Sequence, residues 1–467
     1  MTYVDSYTIL GLAGLAGLIL GAMGVYLFVQ VTRMWVSLGT LFIAFSVIFL
    51  FLKPIYYSYK KWDADLSFLN PIDQGFGNPG FPRLLLEPTL VAVIWLILFV
   101  ANYVITAEAL KNSRPRFLQL LAYKQVECFL QNSMLSSNFA RRALEFLSFL
   151  LILINILISF RLYFKYGYYP MASKGWINMQ EGFITLLPLS MTGGILMQLL
   201  SLAVKSEVPV YAKARMLKYV LIASLIQMLM GYREGFIALM IGVLIIIQLK
   251  RQLKVRQIAI VGMVLGVVAF GYALYRQGIS HASSFLDQYS LVDRLSRDLN
   301  PYDGYVNAYW FYKRGNLYGG QTIFDLPAFL IPRVIWTEKP KILGQMRITK
   351  DLYPNLSANG IVVTSTLLGE IYANWGRVGV LLSAFLFGSI LAGLDVCVQA
   401  CRAARRSSAF IYLYVILAAA MTRMVRTGLF GVGHYLLLLS AIPLFWLTLS
   451  GLVYVAVRKT PMSPRKC

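Results

Sequence analysis

The sequence predicts an all-α, polytopic integral membrane protein with roughly eleven transmembrane helices and a large outward-facing loop. Three observations predict it. Of the 467 residues, 58% are hydrophobic and only 13% charged, which is too apolar for a soluble protein of ordinary composition. Runs of about 20 apolar residues, the length a hydrocarbon core requires, recur along the whole chain. The Lys and Arg residues fall mostly in short clusters between those runs, as the positive-inside rule expects. Nothing marks a second domain, so residues 1–467 read as one polytopic domain.

Run lengths centre the spans near Leu18, Ala44, Ile94, Leu153, Pro188, Ala223, Met240, Val267, Phe385, Ile416 and Phe445. The first run, over residues 7–30, is long enough to stay in the membrane rather than be removed as a signal peptide. It places Gly11, Gly14, Gly17, Gly21 and Gly24 on one helical face, where the absence of side chains lets another helix approach. The connection over residues 53–87 carries Gly75, Gly77, Pro79, Gly80 and Pro82, which mark turns. Residues 111–142 hold enough apolar side chains, Phe117, Leu118, Leu121 and Phe129 among them, to lie along the membrane surface as an amphipathic helix. Gly231-Tyr232-Arg233-Glu234-Gly235 reads as a tight turn between two spans.

Five basic clusters set the orientation. They are residues 111–142, 213–218, 250–256, 402–406 and 458–466, and counting alternate loops puts all five on one side, the cytoplasmic one. The 277–376 stretch and the 423–433 region then face outward. The formal net charge of +23 is explained by the same clusters, so nucleic acid is not an expected partner. Cys128, Cys397, Cys401 and Cys467 fall at or near the cytoplasmic face, which argues against disulfides. Cys397 and Cys401 have no His or further Cys nearby to complete a metal set, so they read as packing residues.

The 277–376 stretch carries the distinctive chemistry. It is long for a connection, and it is too rich in aromatics, with Tyr302, Tyr305, Tyr309, Trp310, Tyr312 and Trp336, to read as a disordered segment. Residues 284–299 have helical periodicity, with Arg294, Arg297 and Asp298 off the apolar face. Pro301-Tyr302-Asp303-Gly304 reads as a turn. Pro332 and Pro340 frame Arg333, Trp336, Glu338 and Lys339 on an extended, rigid backbone.

Arginine suits phosphate recognition because its planar fork donates paired hydrogen bonds and stays charged. Arg233, Arg276, Arg423 and Arg426 end spans on the outward side, and Arg294, Arg297, Arg333 and Lys339 lie in the long loop. Together they are candidates for holding a lipid-linked phosphate or diphosphate. Aromatics such as Tyr302, Trp310 and Trp336 suit the apolar faces of sugar rings, and they are equally expected at a membrane interface. The combination favours a site that acts on a lipid-carried glycan.

Six pieces in order resemble the Wzy-type repeat-unit polymerases of bacterial envelopes, especially those of enterobacterial common antigen, over roughly the second half of the chain. They are Gly231-Tyr232-Arg233, Tyr275-Arg276-Gln277-Gly278, Ser296-Arg297-Asp298, Ile331-Pro332 with Trp336 and Pro340, Thr364-Ser365-Thr366-Leu367-Leu368-Gly369, and Arg426-Thr427-Gly428-Leu429. The resemblance implies a fold similar to the GT-C glycosyltransferases, in the bacterial inner membrane, with the site facing the periplasm. It implies inverting transfer of a growing glycan from undecaprenyl diphosphate to an incoming lipid-linked repeat unit.

Expected partners are that lipid-linked oligosaccharide, the bilayer, and a flippase and chain-length regulator of the same pathway. No cofactor and no metal are expected. Arg233, Arg276, Arg294, Arg297, Arg333, Lys339, Arg423 and Arg426 would hold diphosphate, with Arg297 and Arg333 also stabilising the leaving group. The candidates for general base are Asp298, Glu370, Glu338 and His281, in that order. A lipid-linked glycan ligase and a flippase of lipid-linked sugars are the alternatives; no internal repeat of the transporter kind is present.

Overall fold

The computed structural model describes residues 3–60, 81–112, 138–166, 187–203, 210–230, 232–250, 253–280, 301–315, 317–330, 336–338, 340, 343–358, 362–403 and 409–457. Among them every regular element is an α-helix. In chain order these are α1 (Tyr3–Thr32), α2 (Leu38–Lys60), α3 (Phe81–Asn112), α4 (Asn138–Tyr166), α5 (Leu187–Ala203), α6 (Val210–Leu229), α7 (Arg233–Lys250) and α8 (Val255–Ser280). There follow α9 (Pro301–Arg314), α10 (Gln321–Leu330), α11 (Gln345–Leu352), α12 (Pro354–Ala358), α13 (Thr366–Ala403) and α14 (Ala409–Val457).

All eleven expected span centres lie inside helices. Among the described residues six segments are long and apolar enough to cross a membrane: Ser6–Thr32, Leu38–Lys60, Leu84–Asn112, Arg142–Lys165, Thr366–Cys401 and Phe410–Gly433. Pro188–Leu202, Val255–Val268 and Tyr435–Phe445 are shorter apolar helices. The chain is thus an all-α polytopic membrane protein.

Residues 1–109, 277–393 and 421–434 form one compact unit, and the remainder forms a second. In the first unit, the glycine face of α1 receives α2 as its spacing predicts: Gly14 lies over Ile55 and the Phe51 backbone, and Gly17 over the Phe51 ring. Phe28, Phe42, Trp95, Phe99 and Tyr103 form an aromatic core beside this contact, with Phe28 stacked on Tyr103 at 3.6 Å between ring centres. Trp95 Nε1 donates to Ser383 Oγ at 3.0 Å, and Asn102 Nδ2 donates to Ser389 Oγ at 2.9 Å. These bonds tie α3 to α13 where apolar packing alone would leave their rotation loosely set.

In the second unit α5 packs close against the second half of α14, with Gly193 against the Leu439 carbonyl and Ser190 Oγ donating to Leu438 O at 2.9 Å. The turn between α6 and α7 is as tight as its sequence suggests: Tyr232 N–H reaches Gln227 O at 2.7 Å, and α7 begins at Arg233.

Two expectations need correction. The described part of the long stretch holds helices α9 to α12, and Pro301-Tyr302-Asp303-Gly304 opens α9 rather than making a turn. A proline needs no amide partner at the first helical position, and Asp303 places an acid in the first turn, where the helix dipole favours it. Also, α2 continues past residue 53 to Lys60, so Lys53 is a helix residue and not the first residue of a loop. The proposed helices over residues 111–142 and 284–299 lie mostly or wholly outside the described residues.

Candidate functional site

Both long helices of the C-terminal half are interrupted inside the first unit. Gly376 (φ 63°, ψ −154°) breaks α13 and Gly428 (φ 80°, ψ −171°) breaks α14. That region of backbone space is essentially restricted to glycine. Each break strips hydrogen bonds from the helix ends on either side, and irregular backbone in a membrane protein persists only where protein or a cavity satisfies it.

The protein supplies those partners from the 277–376 stretch. At the first break, Tyr318 N–H and Gly319 N–H donate to Ala373 O and Asn374 O at 3.0 and 2.9 Å. At the second, Gln345 Nε2 donates to Thr427 O, the carbonyl at the end of the first half of α14. The second half of α14 starts at Leu429, whose N–H donates to Glu370 Oε2 at 2.5 Å. Thr322 Oγ1 donates to Glu370 Oε1 at 3.0 Å and accepts from Asn374 Nδ2 at 2.7 Å.

Glu370 has no exposed surface. Its carboxylate therefore sits where a helix N-terminus presents unpaired N–H groups and a positive dipole end, a favourable place for an anion. A Cβ at Gly428 would collide with Glu370, so glycine serves both the backbone geometry and the approach. Asp325 extends the network by accepting Gly344 N–H at 2.8 Å and a forked pair from Arg347 at 2.7 and 3.2 Å.

Arg423 and Arg426 lie in the last turns of α14 before the break, both part-buried, and Thr427 Oγ1 donates to Arg423 O at 2.8 Å. Of the sequence-predicted site residues, the structure brings Glu370, Arg423 and Arg426 into this one unit around one helix break. Arg233 opens α7 and Arg276 lies in α8 ahead of its last turn, both in the second unit; their side chains are outside the described ones. Arg294, Arg297, Asp298, Arg333, Lys339 and His281 lie outside the described residues. Trp336 and Glu338 are exposed.

The aromatic residues separate. Tyr302 is fully buried, sharing a hydrogen bond with Thr89 Oγ1 at 2.8 Å and reaching Leu85 O at 3.3 Å, so its ring has no face for a sugar. This corrects its expected role: residues 301–309 of α9 are buried all round, Asp303 and Asn307 as well as Tyr302, Tyr305 and Tyr309. Trp310 is part-buried, with Nε1 donating to Leu84 O at 2.7 Å and Lys313 Nζ 4.2 Å from its ring centre.

Three features escaped the sequence reading. Lys53 and Asp303 form a buried ion pair at 3.2 Å, with Tyr57 hydroxyl donating to Asp303 at 2.7 Å. A lysine inside an apolar helix was a signal for such a partner. Asn374 stands four residues after Glu370, so the two share one face of α13, the spacing expected of a polar helix face. Glu87 collects Tyr309, Lys313 and Arg377, an association that no local spacing foretells.

The described residues thus make a polytopic all-α membrane protein with two interrupted helices, whose breaks are bridged by buried polar groups from the 277–376 stretch. Within that class this chain belongs to the O-antigen polymerase family: the family model described as "Putative O-antigen polymerase" matches residues 25–438, nearly the whole chain. It is the family whose pieces the sequence resembles, and membership assigns the protein to polysaccharide biosynthesis. No curated protein and no solved structure matches the chain.

Proposed function

We propose that the protein is a membrane glycosyltransferase that polymerises undecaprenyl-diphosphate-linked oligosaccharide repeat units at the outer face of the bacterial inner membrane. The acceptor hydroxyl oxygen bonds to the anomeric carbon of the donor glycan. The bond from that carbon to the diphosphate oxygen breaks, its electron pair leaves with the diphosphate, and the hydroxyl proton passes to a base. Attack from the face opposite the leaving group inverts the anomeric configuration.

The observation that carries this reading is the placement of Arg423 and Arg426 in the turns before the Gly428 break, beside a helix end held by Gln345 and Glu370. Arginines fixed in this way stabilise negative charge that grows on a departing diphosphate without having to reorganise. Arg233, Arg276, Arg294, Arg297, Arg333 and Lys339 are the further diphosphate candidates that the sequence offers, the reaction having two diphosphates, one on each substrate. Asp298 is the first candidate for the base. Glu370, buried and with both oxygens engaged, is a positioning residue in this scheme rather than the base. Trp336, exposed, is the aromatic residue available to a sugar.

The test is stereochemical. Purified protein is given a synthetic undecaprenyl-diphosphate repeat unit of known anomeric configuration, and the new linkage is read by nuclear magnetic resonance. The expected linkage is inverted; a retained configuration contradicts the single-displacement scheme.

A further inference from the structure

The short helix α11 buries Gln345, Ile348, Thr349 and Leu352 on one face. Its other face carries Arg347 and Asp351, one turn apart and therefore neighbours. Asp351 is exposed, yet its carboxylate does not turn freely. Tyr312 hydroxyl donates to Asp351 Oδ2 at 2.9 Å, and Tyr318 hydroxyl donates to the same oxygen. Burial raises both phenols above their ordinary value, so both keep the protons they donate. Tyr312 is only 3% exposed, and the backbone N–H of Tyr318 is fixed on Ala373 O at the Gly376 break. At its other end α11 begins with Gln345, which holds Thr427 O at the Gly428 break. Asp351 is thus oriented by the same segments that brace the two interrupted helices.

An ionised carboxylate accepts at about four lone-pair positions, and the phenols occupy two, both on Oδ2. Among the described residues no group donates to Oδ1. Arg347 gives Nε and one terminal nitrogen to Asp325, and its other terminal nitrogen has no acceptor among the described residues. Phe311 stands beside them as a second exposed ring besides Trp336, its centre 5.0 Å from that of Tyr312. A preorganised acceptor, a donor and an apolar ring together suit a sugar, whose hydroxyls both give and take hydrogen bonds and whose C–H face packs on an aromatic ring.

We propose that Asp351, Arg347 and Phe311 form a glycan subsite that takes a neutral or amino sugar of the repeat unit, with its hydroxyls on Asp351 Oδ1 and the remaining Arg347 nitrogen and its ring against Phe311. That the ligand is a glycan rests on the proposed function. Position sets the role of the subsite. Six residues of helix separate Asp351 from Gln345, about 9 Å along the axis. The subsite therefore lies away from the carbonyl that ends the turns carrying Arg423 and Arg426, and it grips a sugar removed from the diphosphate without taking part in the bond exchange. Charge sets its selectivity. Arg347 is already balanced by Asp325, so Asp351 leaves the cluster net negative, and the carboxylate of a uronic acid is repelled.

The experiment uses full-length protein in detergent and the repeat-unit oligosaccharide, released by mild acid from the lipid carrier of cells that lack this protein. Binding is read by saturation-transfer nuclear magnetic resonance. Wild type is expected to bind. Asp351→Asn, whose amide oxygen still accepts from both phenols, is expected to unfold like wild type and to bind about tenfold or more weakly, the scale of losing a charged hydrogen bond. Phe311→Ala, a change at an exposed ring that leaves the carboxylate's bonds alone, is expected to weaken binding as well. Lys350→Gln, an exposed neighbour on α11, is expected to leave it unchanged. No binding to wild type, or binding indifferent to both Asp351→Asn and Phe311→Ala, overturns the subsite. So does loss of binding in Asp351→Asn that comes with a lowered unfolding midpoint while Phe311→Ala binds like wild type. In polymerisation, Asp351→Asn is expected to raise KM for the lipid-linked unit with kcat nearly unchanged, because the contact is the same in ground and transition states. Protein that binds as expected but makes no polymer contradicts the proposed function and leaves the subsite standing; polymer formation by Asp351→Asn at unchanged KM does the reverse.

Discussion

Glu370 Oε2 accepts the backbone N–H of Leu429 at 2.5 Å, across 59 residues of sequence. Through this bond α13, just past its first turn, holds the restart of α14, while Gln345 holds the Thr427 carbonyl that ends the turns carrying Arg423 and Arg426.

Replacing Glu370 separates positioning from proton transfer. Alanine leaves Leu429 N–H and the Thr322 hydroxyl without their acceptor and is expected to cost about 1–3 kcal/mol of stability. Glutamine still accepts one of these bonds and is expected to keep measurable polymerisation. A glutamine variant as stable as wild type but slower by about a hundredfold or more would make Glu370 the base instead.

Alanine at the two helix breaks should have unequal effects. At Gly428 the dihedral strain adds to a collision with Glu370, for an expected loss of about 2–5 kcal/mol. At Gly376 the added methyl group meets only Leu317, at an ordinary 3.4 Å, so strain alone remains, about 1–3 kcal/mol. Thermal unfolding in one detergent orders the two, and equal midpoints would contradict the role given to the Glu370 contact.

The Lys53 and Asp303 side chains are each only 2% exposed. Removing one partner strands a buried charge, so Lys53→Met is expected to cost about 3–5 kcal/mol, and Lys53→Met with Asp303→Leu to recover much of that. A double-mutant cycle with no coupling between the two positions would show that the pair does not pin α9 to α2.

Alkaline pH should loosen the helices of the 277–376 stretch. Burial is the largest cause that raises the Tyr302, Tyr305, Tyr312 and Tyr353 phenols above their ordinary value of 10.0. The folded state therefore keeps protons that the unfolded chain releases. Stability is constant below the unfolded value and falls as pH rises beyond about 10, by about 1.4 kcal/mol per pH unit for each such group. Tyr312→Phe should make the decline shallower, as read from unfolding midpoints between neutral and strongly alkaline pH.

The sequence disclosed the parts of this fold that depend on short-range pattern. Apolar run length placed every span centre in a helix, and the glycine spacing in α1 anticipated its contact with α2. Pro301 misled because proline opens turns and helices alike, and only the residues after it separate the two. Tyr302 misled because an aromatic residue in a polar stretch looks available until its partners are known, and Thr89 lies 213 residues away. The site was legible in type and not in arrangement. Arg423, Arg426 and Glu370 stood out as charges near apolar spans, but the helix breaks that bring them together depend on backbone angles at Gly376 and Gly428 and on partners such as Thr322 and Gln345. A glycine in an apolar run carries no sign of whether its φ is positive.

The most direct measurement of the central claim is product length on a gel, with purified protein, synthetic undecaprenyl-diphosphate repeat units, and wild type compared with Arg426→Ala. The account predicts a ladder for wild type and its loss in a variant that elutes and unfolds like wild type. No ladder from wild-type protein that instead moves the substrate across vesicles would contradict it, as would a full ladder from Arg426→Ala.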